Sequence, residues 1–109
     1  MKKAKIDIQI ILDELKIPNK ILWSATDYNK EQLEKSKAMF LYLWDEKQKN
    51  AFNINIWTND MTIQEMKNFF YQILITMADT FENATNEKDI SDDLRDYCKY
   101  FLKKMTPNK

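Results

Sequence analysis

The chain has 109 residues, enough for one domain that buries roughly two-thirds of its unfolded surface, and its 17 basic side chains are matched by 17 acidic ones for a net charge of zero. With one arginine, Arg95, and lysines interleaved with acids throughout, it lacks the basic excess of a nucleic-acid reader. Having no histidine and no glycine, it also lacks the commonest general base and zinc ligand, and the phosphate-cradling loops of nucleotide sites.

Residues 4–13 alternate, with Ala4, Ile6, Ile8, Ile10 and Leu12 on one side and Lys5, Asp7, Gln9 and Asp13 on the other, which is the period of a strand with one wet face. Ile17 to Leu22 reads as a connector holding one helical turn, because Pro18 suits a first helical position. Trp23 to Asp27 has the makings of a short strand, and Tyr28 to Ser36 reads as a loop or frayed turn. Residues 37–44 form a strand that is apolar on both sides: Met39, Leu41 and Leu43 oppose Phe40, Tyr42 and Trp44. Asp45 to Asn50 is a charged hairpin loop in which Asn50 is the natural left-handed residue. A partner strand follows over residues 51–58, where Phe52, Ile54 and Ile56 alternate with Asn53 and Asn55 before Trp57.

Thr62-Ile63-Gln64-Glu65 is a capping box, flanked by Met61 and Met66 in the staple positions. The helix it starts, over about residues 62–83, carries a stripe of Ile63, Met66, Phe69, Phe70, Ile73, Leu74, Met77 and Phe81. A second helix over about residues 91–105 presents Leu94, Tyr97, Cys98, Phe101, Leu102 and Met105; Lys103 and Lys104 complement its C-terminal dipole and Pro107 stops it. The expected fold is a single α+β domain: a small antiparallel sheet of three to four strands, then two amphipathic helices packed on it.

No motif calls for a metal or cofactor. Asp89, Asp92, Asp93 and Asp96 cluster in the first turns of the second helix, where acids ordinarily complement the dipole. Cys98 lies on an apolar stripe with no base to activate it, so it reads as a small core hydrophobe, and a lone cysteine excludes an internal disulfide. An enzyme reading would rest on the carboxylates Asp27, Asp60 and Asp79 alone. No apolar run approaches the roughly 20 residues of a spanning helix, and the N-terminus enters a strand rather than a signal sequence, so a cytoplasmic protein without membrane insertion is expected.

The candidate interaction surface is Trp23, Phe40, Tyr42, Trp44 and Trp57. Each tryptophan ends an apolar run beside polar residues, and aromatic side chains are favoured at interfaces, although a tryptophan also serves as a core residue with a satisfied indole. Two helices cover one face of a small sheet, so one side of strand 37–44 needs another cover: the connector folded back, a second copy of the chain, or a client polypeptide.

Trp23-Ser-Ala25-Thr-Asp27, Trp44-Asp45, Ile56-Trp57-Thr58-Asn-Asp60-Met61, Met77-Ala78-Asp79-Thr80-Phe81 and Ala84-Thr85-Asn86 together resemble the gliding motility-associated GldC family of the Bacteroidota, in register from about residue 17 into the second helix. Thr62 departs from the proline expected there, and both residues start helices. The resemblance implies a cytoplasmic accessory protein of a gliding apparatus linked to type IX secretion, with gliding or secretion components as partners and no catalytic residues to carry over. The order of sheet first and two helices last also resembles, in layout only, the export chaperone SecB, which would imply a holdase.

Overall fold

A computed structural model describes residues 1–106; the helix stop assigned to Pro107 lies outside them. The element order is β1 (Ile6–Leu12), β2 (Pro18–Ala25), β3 (Glu34–Ser36), β4 (Ala38–Trp44), β5 (Ala51–Trp57), α1 (Ile63–Thr85) and α2 (Lys88–Met105). The arrangement is α+β, with the strands divided between two antiparallel sheets, β1-β2-β3 and β4-β5. The chain separates into two compact units, Met1–Met61 carrying both sheets and the helical segment from Thr62 onward.

In the first unit the alternation of β1 survives as register. Ile6, Ile8 and Ile10 lie opposite Ala25, Trp23 and Ile21, so these six share one face, and the register shifts at a bulge between Ile11 and Leu12, beyond which Leu12 pairs with Pro18. The region read as a connector with a helical turn is instead strand β2. Pro18 stands at its first position, where a missing N–H costs no ladder bond, and an Asp13-based turn closes the hairpin. Asp13 accepts from the Leu15 and Ile17 amides through Oδ1 at 2.8 and 3.0 Å, while Lys16 takes φ 63°. Beyond the turns at residues 26–31, Glu34–Ser36 pairs with β2 as a third short strand rather than remaining a loop.

β4 and β5 pair in uninterrupted register from Ala38↔Trp57 to Trp44↔Ala51. In the loop between them the left-handed residue is Lys49 (φ 54°), not Asn50. Asp45 sets this geometry: its carbonyl accepts from the Lys49 amide at 2.9 Å and its Oδ2 from the Gln48 amide at 2.6 Å, which forces the αL position onto residue 49.

In the second unit the capping box forms as read, with the Glu65 amide donating to Thr62 Oγ1 at 3.1 Å and the Thr62 amide to Glu65 Oε1 at 2.9 Å. α1 runs two residues past the expected end, to an Asn86 left-handed cap (φ 63°), and α2 starts at Lys88 rather than Ser91. The residues that disappear from solvent along these helices are small: Ala78 on α1, and Ser91 and Cys98 seven positions apart on α2. Small side chains at such positions let helix backbones approach closely. The Ser91 hydroxyl is satisfied by donating to the Glu87 carbonyl at 2.9 Å.

Candidate functional site

The register of the β4-β5 hairpin decides which apolar residues are brought together. Residues directly opposite share a face, so Phe40, Tyr42, Trp44 and Trp57 lie on one side, and Met39, Leu41, Leu43, Phe52, Ile54 and Ile56 form an all-apolar ladder on the other. Four of the five candidate surface residues are therefore joined on one hairpin face. Trp23 is not among them: it sits half-buried in the first sheet and lines an apolar hollow of about 230 Å³ with Ile6, Ile8, Ile21 and Met39.

Exposure then separates the two ends of the hairpin. At the base, Ala38, Met39, Phe40, Leu41 and Ile56 are half-buried, whereas toward the tip Tyr42 is 57%, Leu43 52%, Trp44 71% and Phe52 54% exposed. The tip is wet on both faces while carrying four large apolar residues, a patch that monomeric proteins ordinarily cover. Trp57, at the base, is 51% exposed. Leu43 and Phe52 complete the patch but are absent from the candidate set, because alternation assigns them to a sheet face without revealing that the hairpin tip stays uncovered.

A second feature of the same unit is a cleft of about 570 Å³ lined by Lys20, Lys35, Lys37, Ser36, Asn59 and Asp60 among others. Several of its polar groups hold the fold. Thr58 is buried and donates from Oγ1 to Asp60 Oδ1 at 2.6 Å, and its amide donates to the Lys37 carbonyl at 2.8 Å. The Asn59 amide donates to the Pro18 carbonyl at 3.0 Å, and Ser36 Oγ donates to the Ala38 carbonyl at 2.6 Å. The Thr58-Asp60 contact has the atoms of a nucleophile and base, and Thr58, 2% exposed, lines the same cleft.

The helical unit has one ionic hub. Arg95 on α2 reaches Asp79 and Glu82 on α1 with Nη2, both at 2.8 Å, and Asp92 on its own helix with Nη1 at 2.9 Å. Asp79 first, then Glu82, holds the guanidinium proton above its ordinary range. Asp92 is held below the usual carboxylate range, chiefly by Lys88 Nζ at 2.7 Å and then by Arg95. That carboxylate from the acidic cluster is thus engaged in ion pairing, and among the described residues no group of acids or Cys98 has the geometry of a metal site. Cys98 is fully buried, and burial pushes its thiol up. No helix of the described residues is long and apolar enough to cross a membrane.

Several of the stretches that carry the family resemblance are architectural. Trp57 to Met61 stitches the end of β5 to Pro18 and Lys37, Ala78 and Asp79 serve the α1-α2 pair, and Asn86 is the left-handed cap between them. No curated protein and no solved structure matches the chain. The family profile described as gliding motility-associated protein GldC-like matches residues 18–107, and the chain belongs to that family.

Proposed function

We propose that this protein is a non-enzymatic, cytoplasmic accessory factor of the gliding motility machinery linked to type IX secretion, acting through protein-protein contacts and self-association. Family membership supports the gliding association. The observation that carries the contact mechanism is the hairpin tip, where Tyr42, Leu43, Trp44 and Phe52 are each more than half exposed on both faces. Large aromatic and aliphatic side chains presented on a hydrogen-bonded hairpin lose little conformational freedom on docking, as interface anchors require. Of the three carboxylates an enzyme reading would use, two are engaged, Asp60 accepting from Thr58 and Asp79 from Arg95, while Asp27 is exposed.

The test is to tag the protein at its native locus in a gliding bacterium, crosslink living cells and identify what copurifies. A short, reproducible set of gliding or secretion components, lost on Trp44→Ala, supports the adaptor reading. The same exposed patch suits a second reading, a SecB-like holdase for exported chains. A broad set of unfolded precursors, with suppression of aggregation in vitro, would replace the adaptor with that one.

A further inference from the structure

In the two-stranded β4-β5 sheet each strand, β5 included, has an outer edge. The Thr58 amide bonds the Lys37 carbonyl and the Asp45 amide bonds the Asn50 carbonyl, which fixes the hydrogen-bonded pairs of the hairpin at every second position. The peptide groups of Ala51, Asn53, Asn55 and Trp57 therefore point away from β4. Among the described residues none of these four has a backbone partner on that side. The free edge ends beyond Trp57, where Pro18 takes the Asn59 amide.

Natural edges are blunted by charge, proline, bulges or brevity. The other sheet follows that rule: β1 carries Asp7 and a bulge, and β3 is three residues long with Glu34 and Lys35. On β4 the outward carbonyl of Ala38 is taken by Ser36 Oγ. β5 reads Ala-Phe-Asn-Ile-Asn-Ile-Trp, seven residues without a charge, a proline or a register shift; β4 is equally uncharged, but its edge opens on the Ala38 carbonyl already bonded to Ser36.

We propose that β5 pairs antiparallel with β5 of a second copy, with Ile54 opposite Ile54 on the two-fold axis. This rests on the self-association proposed above and names its interface. The parity is self-consistent. Ala51 meets Trp57 and Asn53 meets Asn55, all four being outward-facing, which gives about eight backbone hydrogen bonds. Phe52 falls opposite Ile56 and Ile54 opposite itself, so the all-apolar ladder of one hairpin continues into the next. The second copy is favoured over a charged partner because the edge offers no side-chain charge to complement. An interface of one strand pair belongs to the weak class below about 1,200 Å² in total.

Sedimentation velocity of the full chain over a concentration series tests this. Expected is a reversible monomer-dimer equilibrium that Asn53→Pro weakens at least tenfold with unchanged far-UV circular dichroism, since the lost N–H faces away from β4. Ile54→Lys and Ile54→Glu should each be monomeric alone and dimerise when mixed, a charge-swap rescue that decides the matter if the proline variant unfolds. A wild-type monomer at all concentrations overturns both this pairing and self-association. A dimer indifferent to Asn53→Pro and to both Ile54 variants overturns the edge pairing and leaves self-association standing. Open-ended assemblies overturn the closed two-fold arrangement.

Discussion

Ile21→Ala should unfold the first unit at much lower denaturant concentration than wild type. Ile21 is 1% exposed at the centre of β2, with Ile10 on one side and Ser36 on the other. The substitution removes three buried carbons, worth about 2.4 kcal/mol in transfer, and the residual cavity raises the loss to about 3–4 kcal/mol. Ile10 is 40% exposed, so Ile10→Ala at the paired position should cost about 1–1.5 kcal/mol. The assay is urea unfolding followed by tryptophan fluorescence, which reports the sheets selectively because Trp23, Trp44 and Trp57 all precede Met61. Circular dichroism at 222 nm follows the helices in parallel. The midpoint should fall without a change in slope. A loss below about 1.5 kcal/mol at Ile21, or one no larger than at Ile10, would refute the assignment of the core.

Arg95→Met should lower the midpoint seen at 222 nm, and Arg95→Lys should fail to restore it, because a point charge cannot serve three carboxylates as the guanidinium fork does. Thr62→Ala removes the N-cap acceptor of α1 and should cost about 1 kcal/mol by urea unfolding. Without histidine, stability should be flat between about pH 5 and 8. On the acid side, the depressed Asp92 contributes stability that is present above the ordinary carboxylate range and lost as pH falls through its lowered value, so Asp92→Asn should flatten the acid limb. On the alkaline side, the raised Cys98 contributes stability that is present below the ordinary thiol range and lost as pH rises through its folded value; the native thiol should not react with a disulfide reagent until the protein unfolds.

Periodicity was most informative where one physical signal acted alone. The alternation of β1, the doubly apolar β4 and the Thr62 capping box each appear in the structure where the sequence puts them, because period and cap chemistry are local. β2 was hidden by Pro18, which starts helices and strands alike, and by an Asp13 turn that advertises itself with no glycine. The small buried residues Ala78, Ser91 and Cys98 follow from helix approach, a tertiary property that a stripe of large side chains does not reveal. In the candidate surface, alternation puts Phe40, Tyr42 and Trp44 on one side, and the hairpin register, through Ala38↔Trp57, adds Trp57 to that face. Trp23 belongs elsewhere because its strand pairs with β1. Arg95, the single arginine of the chain, is the centre of the ionic network; its two partners on α1 lie sixteen and thirteen positions upstream, beyond any helical-spacing rule.

The left-handed turn positions are filled by Lys16, Lys30, Glu31, Lys49 and Asn86, in a chain without a single glycine. Each side chain with a Cβ in that region costs on the order of 1 kcal/mol against the turn. The β4-β5 loop therefore has little tendency to close in isolation, and Lys49 reaches its φ only once the strands on either side hold it there. The expected order during folding is that apolar contacts between Met39 and Ile56 or Leu41 and Ile54 form first and Lys49 takes its left-handed geometry last. Substitutions at Lys49 should then alter the unfolding rate and leave the folding rate nearly untouched, giving φ-values close to zero at the turn and high ones in the middle of the strands.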